Sequence, residues 1–274
     1  MAIAIPIDFH FDFFFPGCVC SSCRKRQMAA MYRVASPISK AEFLQMFQRS
    51  TPPVGWSSTV GEWNIRKCMC LLWSLFQSSA VANSGGADST CLLFLINRLL
   101  SDETMTGKGL PHSVVSITVD HGLQASSSSM AAQCSKNASS LKVKHLTIPI
   151  PWSEPPFPPR PSDMEPSENI ARDARYHLLF HAMTRMSVKT LAFGHHVDDQ
   201  VETSLMRLAR GTTELGAGGM RPCRRWGMGL GRSVEDKLGW AGYEGMRRWV
   251  VRPLLQVSKV SIGTLVHCTL YNVS

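Results

Sequence analysis

The stretch Ser84-Gly85-Gly86-Ala87-Asp88-Ser89, called the glycine loop below, separates the short apolar run 80–82 from a helical run that extends to Leu100. Glycine permits positive φ angles and a close approach of the backbone to a ligand. The amides at the start of a helix attract anions, and Ser84 and Ser89 add hydroxyl donors. Asp88 would repel a phosphate unless a divalent cation lay between them. The stretch predicts a strand, a pyrophosphate-binding loop with Mg²⁺, and a helix.

Three alternatives to pyrophosphate binding fit the glycine loop less well. A glycine-rich turn before an ordinary helix N-cap is the purely structural one. A Walker A loop is excluded because no Gly-Lys-Ser/Thr follows. A dinucleotide fingerprint is excluded because the two glycines are adjacent and no third one opens the helix.

The composition is that of a globular chain with a polyanionic partner. The 274 residues are 44% hydrophobic, enough for one substantial core and part of a second domain. No apolar run reaches the roughly 20 residues of a transmembrane helix, so we expect no membrane partner. The net charge of +9 favours a partner such as RNA.

The nine cysteines are odd in number and irregularly spaced, which favours a reducing compartment over a secreted disulfide framework. Cys18, Cys20 and Cys23 lie close enough to share a metal, but no fourth ligand of matching spacing follows, so a zinc site is the less favoured alternative. Cys91 belongs to an apolar helix face and is expected in the core.

Strand and helix patterns alternate along the chain and predict an α/β fold with a doubly wound, mainly parallel sheet and helices on both faces. Predicted strands lie at 79–83, 113–119, 143–148, 190–193 and 249–255. Predicted helices lie at 41–49, 90–100, 125–141 and 168–186, with a further one after 197. We divide the chain into a poorly defined N-terminal extension (1–76), a catalytic domain (77–259) and an unpatterned tail (260–274). The domain contains a Pro-rich surface loop (151–167), expected to be an inert extended linker, and a Gly/Arg-rich insertion (212–248).

Two further groups of polar residues follow predicted strands. Asp120 and His121 end the second strand, where open α/β sheets bind ligands. Residues 194–203, called the second cluster below, place His195, His196, Asp198, Asp199 and Glu202 at a strand-to-helix turn. Asp198 and Glu202 are one helical turn apart, which suits an ammonium group or another cation. In the same helix we expect a buried stripe of Val201, Leu205 and Leu208.

Six motifs occur in order and together resemble the catalytic domain of tRNA(Ile)-lysidine synthetase, within the PP-loop or N-type ATP pyrophosphatase superfamily. They are Ser-Gly-Gly-Ala-Asp-Ser at 84–89, Val-Asp-His-Gly-Leu at 119–123, Glu-Asn-Ile-Ala-Arg-Asp-Ala-Arg-Tyr at 168–176, Gly-His-His-Val-Asp-Asp-Gln-Val-Glu-Thr at 194–203, Gly-Ala-Gly-Gly-Met at 216–220 and Arg-Pro-Leu-Leu at 252–255. The resemblance implies an adenine nucleotide alpha-hydrolase-like fold and an ATP-dependent carbon-nitrogen ligase. ATP would adenylate O2 of the wobble cytidine of tRNA(Ile), and the ε-amine of free L-lysine would then displace AMP.

The resemblance also implies roles for individual residues. Residues implied to bind ATP or pyrophosphate are Ser84, Gly85, Gly86, Ala87, Asp88, Ser89, Asp120 and His121. Asp88 would hold Mg²⁺ through the pyrophosphate. Residues implied to be catalytic are Asp88, His195, His196, Asp198, Asp199 and Glu202. Lysine would be bound by Arg172, Arg175, Asp198 and Glu202.

Some features depart from the family's pattern and leave alternatives open. Asn83 stands where an apolar or small strand residue is usual, and the chain ends where the family continues into tRNA-reading parts. A catalytically impaired nucleotide-binding fragment is therefore one alternative. A 2-thiocytidine-type tRNA thiolase is another. Such an enzyme normally uses a Cys-x-x-Cys pair that carries an iron-sulfur cluster, whereas here the sequence of the nucleotide domain contains no such pair, and Cys20 and Cys23 precede it. A homodimer is left as an option. In a eukaryote we expect a mitochondrial location, because 18–40 lacks acidic residues and contains five basic ones; in a bacterium, the cytoplasm.

Overall fold

The computed structural model describes residues 38–53, 78–105, 110–161, 167–229 and 239–263, which lie within one compact unit, Pro37–Ser274. The helices are α1 (Lys40–Arg49), α2 (Ala87–Leu100), α3 (Ser127–Ser140), α4 (Ser167–Arg185), α5 (Val197–Ala209) and α6 (Glu214–Ala217). The strands are β1 (Ser78–Ala82), β2 (Ser113–Asp120), β3 (Lys144–Pro149), β4 (Thr190–Ala192), β5 (Cys223–Arg225) and β6 (Trp249–Val251). Short 3₁₀ helices lie at Glu103–Met105 and Gly242–Arg247.

The six strands form one sheet in the order β3-β2-β1-β4-β6-β5. All neighbouring pairs are parallel except β5 with β6. β1 lies between β2 and β4, and its Ala80 faces Val115 on one side and Leu191 on the other. The predicted doubly wound, mainly parallel fold is confirmed.

Both faces of the sheet are covered by helices. Successive side chains of a strand point to opposite faces, so neighbouring residues of one strand pack against different helices. Val81 of β1 belongs to a core cluster with Phe43 of α1 and Leu92 of α2. Its neighbour Ala80 belongs to a second cluster with Leu179 of α4. The buried strands therefore carry apolar side chains on both faces, as parallel sheets do.

The Gly/Arg-rich insertion contains regular elements. Within residues 212–248 the structure places α6, the antiparallel edge strand β5 and the second 3₁₀ helix. Arg248 is buried and donates to the Val188 carbonyl at 2.6 Å. The last predicted strand was too long, because residues 253–256 form a turn that begins at Pro253.

The stripe expected to be buried in α5 is exposed, so that prediction was wrong. Val201, Leu205 and Leu208 are 54%, 61% and 53% exposed. Among the described elements α5 packs against α6, beyond the carboxyl end of β4. Helical periodicity identifies an apolar face, but it does not say which element covers that face.

Cys91 is buried, as predicted. The alternative zinc ligands Cys18, Cys20 and Cys23 lie outside the described residues. No helix in the described ranges is both long enough and apolar enough to cross a lipid bilayer.

Candidate active site at the carboxyl edge of the sheet

The glycine loop and the second cluster meet where the chain changes direction across the sheet. The strands β1, β2 and β3 progress to one side, and the chain then returns to place β4 on the other side of β1. In open α/β sheets such a switch point leaves a crevice at the carboxyl ends of the strands, where ligands bind. The glycine loop follows β1 and the second cluster follows β4, so both border this crevice.

Asn83 determines the shape of the glycine loop. Its side chain is buried (2% exposed), and its Oδ1 accepts the Gly85 amide at 3.2 Å. Its Nδ2 donates to Ser116 Oγ at 3.3 Å, and its carbonyl accepts the Thr118 hydroxyl at 2.8 Å. The polar residue that departs from the family's pattern is thus fully used in fixing the loop to β2. An amide side chain two residues before a pair of glycines was the signal for this role.

The two glycines of the loop meet different requirements. Gly85 has a φ of +84°, and a Cβ there would lie 3.2 Å from the Cys134 sulfur. Gly86 is the N-cap of α2 with a φ of −70°, and it supplies no side-chain hydrogen bond to the helix. The first amides of α2 therefore have no side-chain cap and are available to an anion.

The two loop serines lie side by side, with Oγ atoms 3.2 Å apart. Ser89 is buried, and its hydroxyl lies 3.1 Å from the Gly86 carbonyl oxygen and 3.2 Å from Asn83 Oδ1. Ser84 is exposed. The exposed hydroxyl of Ser84 is thus the one that reaches the crevice, whereas the buried hydroxyl of Ser89 stabilises the loop through its contacts with Asn83 and Gly86.

Asp88 carries a carboxylate that suits the predicted Mg²⁺. Its Oδ1 is buried and has no hydrogen-bond partner among the described residues. Carboxylate oxygens are hard ligands that Mg²⁺ accepts, usually together with phosphate oxygens and water. Within the described ranges no three or more His, Cys, Asp or Glu residues form a metal site of their own. Asp88 therefore fits a role in which the phosphates of a bound ligand complete the coordination.

Gly194 permits the contact between the two motifs. A Cβ at this position would lie 2.9 Å from both the carbonyl carbon and oxygen of Asp88 and 3.0 Å from the Ser89 nitrogen. Real Cβ atoms do not come this close to backbone, so any other residue would push the second cluster away from α2. The close packing is the reason that Asp88 and the histidines lie in one site.

His196 is buried (4% exposed) among three carboxylates. Its Nε2 lies 3.7 Å from Asp88 Oδ2 and 3.7 Å from Asp199 Oδ2, and its Nδ1 lies 3.8 Å from Asp198 Oδ2. The Asp199 carboxylate also accepts the His196 backbone amide at 2.8 Å, at the start of α5. Asp199 thus stabilises the helix start, while Asp198 and Glu202 are exposed and accessible to a ligand.

His195 lies at the end of a stacked column. Its ring stacks on Phe193 with centroids 5.5 Å apart, and Phe193 stacks on Tyr176 at 5.5 Å. Arg172 lies over the Tyr176 ring at 5.6 Å. Burial and the neighbouring Arg252 disfavour the imidazolium, and they lower the pKa of His195 to about 4. Arg172 is therefore brought to the second cluster, whereas the described interactions of Arg175 are with Tyr176, Arg172 and Glu168 and do not include a residue of that cluster.

The Pro-rich loop is not an inert linker. Trp152 Nε1 donates to the His121 carbonyl at 2.7 Å, and Arg160 donates to the Gly122 carbonyl. The turn after β2 is also held by Asp120, whose carboxylate accepts the Gly122 amide at 3.0 Å. The prolines prevent this segment from forming a helix or pairing as a strand. Trp152 and Arg160, which lie between prolines, nevertheless attach the loop to the sheet edge where Asp120 and His121 lie.

Arg252 is a residue of the site that the sequence pattern assigned only to a strand. It directly follows β6, and its Nε donates to His195 Nδ1 at 3.1 Å. The available signal was its place within an ordered motif immediately after three β-branched or aromatic residues.

Comparisons with known proteins give sequence matches over the part of the chain that contains this site. A sequence profile of the PP-loop domain matches residues 67–270. The chain is 35% identical over 183 residues to a tRNA(Ile)-lysidine synthase of Mesorhizobium japonicum, covering 66% of this chain and 34% of the relative. It is 38% identical over 160 residues to the protein of the same name from Alkalilimnicola ehrlichii, covering 58% of this chain and 32% of the relative.

The chain also aligns with a solved structure, that of the U34-tRNA thiolase NcsA from Methanococcus maripaludis with its 4Fe-4S cluster. The alignment has a TM-score of 0.49 and a sequence identity of 17%, and it covers 71% of this chain and 57% of that chain. The chain spans about a third of the length of the two curated relatives named above. The profile match extends over most of the chain, including both motifs that meet at Gly194, and the chain therefore belongs to the PP-loop domain family.

Proposed function

We propose that this chain catalyses the two chemical steps of lysidine formation on tRNA(Ile). The observation that carries the proposal is the contact of Gly194 with the Asp88 backbone, which joins an anion-binding loop to a cluster of carboxylates in one crevice. An adenylating enzyme that transfers an amine needs both parts: donors for the leaving pyrophosphate and acidic groups for the incoming ammonium. The curated relatives that carry the lysidine synthase name support the same assignment.

In the first step, O2 of the wobble cytidine attacks the α-phosphorus of ATP. The bond from the α-phosphorus to the bridging oxygen breaks, and pyrophosphate leaves with that electron pair. The amides of the glycine loop and the first turn of α2 bind the negative charge on the leaving group. The Ser84 hydroxyl adds a donor. Asp88 would hold Mg²⁺, which neutralises charge on the phosphates when bound.

In the second step, the ε-nitrogen of lysine attacks C2 of the adenylated cytidine, and the bond from C2 to O2 breaks as AMP leaves. A free lysine ammonium has a pKa near 10.4, far above that of a carboxylate. Asp198 and Glu202 therefore bind the cation and accept one proton from it before the attack, because an ammonium nitrogen has no lone pair. The nitrogen bonded to C2 then loses a second proton. Both side chains are exposed at the crevice end of α5, where a small amine can reach them.

Arg172 is assigned to the carboxylate of lysine. Its guanidinium is held over Tyr176, at the far end of the column from His195. A guanidinium can bind a carboxylate through two parallel hydrogen bonds. We assign Arg175 no separate role, because its described contacts do not reach the second cluster.

The test is transfer of labelled lysine into RNA. The whole chain is incubated with ATP, radiolabelled L-lysine and an unmodified tRNA(Ile) transcript with a CAU anticodon. We expect label in the RNA, equimolar AMP, and no label with a transcript that carries GAU instead. Exchange of pyrophosphate into ATP without labelled RNA would contradict the proposal and would indicate a different acceptor for the adenylate.

A thiolase is the second candidate, and no described contact favours it. Of the described cysteines, Cys91 and Cys134 are buried, and burial raises the pKa of the Cys91 thiol to about 12. Cys20 and Cys23 lie outside the described residues. An iron-dependent absorbance band after anaerobic purification would favour the thiolase over lysidine formation.

A further inference from the structure

We infer that His195 acts as a fixed neutral hydrogen-bond donor, with Arg252 as the positioning residue that selects its tautomer, and that it donates Nε2–H to an oxygen of the bound substrate. This inference rests on the proposed function for the identity of that oxygen, which belongs to the nucleotide or the cytidine. It separates His195 from the acid–base role that a histidine in such a cluster suggests.

The tautomer of His195 follows from which of the two side chains, Arg252 or His195, can donate the hydrogen bond between them. A guanidinium has only N–H groups and cannot accept a hydrogen bond. Arg252 Nε lies 3.1 Å from His195 Nδ1 in donor geometry, so Nδ1 must supply the lone pair. A neutral imidazole with an accepting Nδ1 carries its proton on Nε2. Nδ1 is occupied and Nε2 is already protonated, so His195 has no site left at which to act as a base.

Arg252 is rigidly held for this purpose. Its side chain is 5% exposed, and a second nitrogen of the guanidinium donates to the Arg221 carbonyl at 2.9 Å. Its backbone amide donates to the Pro222 carbonyl at 2.8 Å. Burial and nearby Arg224 lower the pKa of Arg252 to about 10, which leaves the guanidinium protonated at neutral pH. A fixed cation beside Nδ1 disfavours the imidazolium form of His195.

The remaining charged groups around His195 do not reverse this balance. Arg172 from α4 and His196 from the same turn oppose protonation, and Asp199 from α5 alone favours it. Burial and Arg252 are the two largest effects, and both lower the pKa. Stacking on Phe193 fixes the ring plane, with 17° between the two rings. The Nε2–H direction is therefore set by the protein before substrate binds.

The donor role has a consequence for substitution. A glutamine side chain can accept from Arg252 with its carbonyl oxygen and donate with its amide NH₂, but it cannot take up a proton near neutral pH. A leucine fills similar space and offers neither group. The two variants of one position thus separate hydrogen-bond donation from proton transfer.

The decisive experiment observes the ring directly. ¹⁵N-histidine spectra of the whole chain are recorded from pH 5 to 8, with His195→Gln used to assign the resonance. We expect the Nε2–H tautomer throughout and no titration of His195 in this range. A Nδ1–H tautomer, or titration near pH 6.5, would overturn the inference whether or not the chain makes lysidine. In Arg252→Met we expect the His195 resonance to titrate at a higher pH, and the folded state is checked in the same spectra.

Activity supplies the second readout. In the lysine-transfer assay we expect His195→Gln to retain at least tenfold more kcat/KM than His195→Leu, with the same pH profile as the native chain between pH 6 and 8. Equal losses in the two variants would overturn the donor role. If the native chain transfers no lysine, the proposed function fails, and the spectra alone decide the tautomer.

Discussion

Gly194 lies directly against Asp88: a Cβ built on Gly194 would be 2.9 Å from the Asp88 carbonyl carbon and oxygen. This contact brings His196 Nε2 to 3.7 Å from the Asp88 carboxylate. The two residues are far apart in the chain, but they follow adjacent strands of the sheet. The site therefore depends on a backbone contact that a methyl group would prevent.

The first prediction is that Gly194→Ala separates the two motifs. The added methyl group must displace backbone rather than a flexible side chain, and overpacking of this kind costs about 1–3 kcal/mol. We expect the free energy of unfolding in urea to fall by that amount and pyrophosphate exchange into ATP to fall at least tenfold. Gly263→Ala is the control, since a Cβ at Gly263 meets no atom within 4 Å. Equal activity of the two variants would contradict the proposed contact.

The second prediction concerns the glycine loop. Gly85→Ala forces a side chain into a conformation with a φ of +84° and within 3.2 Å of the Cys134 sulfur. The left-handed conformation costs an L-residue about 1–2 kcal/mol. Gly86→Ala keeps an ordinary φ, and its Cβ would meet Ser84 Oγ at 3.6 Å. We expect the KM for ATP to rise at least fivefold more in Gly85→Ala than in Gly86→Ala, and the reverse order would contradict the assignment.

The third prediction is that Asp88→Ala abolishes AMP formation, because the phosphates lose their link to the protein through Mg²⁺. We expect at least a hundredfold loss of pyrophosphate release at saturating ATP. Glu103→Ala, in the 3₁₀ helix after α2, removes a carboxylate outside the crevice and serves as the control. Turnover by Asp88→Ala at the native rate would remove Asp88 from the site.

Much of the fold and part of the site follow from the sequence. The alternation of β-branched runs with helical runs fixes the parallel sheet, and parallel strands bring their polar carboxyl ends to one edge. Asn83 and Arg252 were missed because their importance arises from partners far along the chain, Ser116 and His195. Local patterns contain no information about which buried group will need a donor.

The fourth prediction tests the exposed face of α5, where periodicity alone gave the wrong answer. Leu205 is 61% exposed, so Leu205→Gln should change the free energy of unfolding by less than about 0.5 kcal/mol. Leu92 has the same side chain and is fully buried in the core, where truncation to alanine costs about 2–5 kcal/mol. Urea unfolding of Leu205→Gln and Leu92→Ala measures both. A loss above about 2 kcal/mol in Leu205→Gln would show that the face is covered in solution.

The last prediction is a pH dependence of stability that His195 contributes. The folded-state pKa of His195 is about 4, below its ordinary value of 6.5. Between these values the unfolded chain binds more protons than the folded chain, so the free energy of unfolding falls as the pH is lowered. The contribution is fully present above pH 6.5 and is lost progressively toward pH 4. Each pKa unit corresponds to about 1.4 kcal/mol, and partial exposure of the ring reduces the total to on the order of 2 kcal/mol.

Three more histidines act in the same direction, because burial also lowers the pKa of His145, His177 and His181. The measurement must therefore compare the native chain with His195→Gln, in which only the one titration is removed. We expect the urea midpoint of the native chain to decrease more steeply between pH 6.5 and 4.5 than that of the variant. Parallel curves would mean that His195 binds a proton equally well in the folded and unfolded chain, and Arg252 would then not control its protonation.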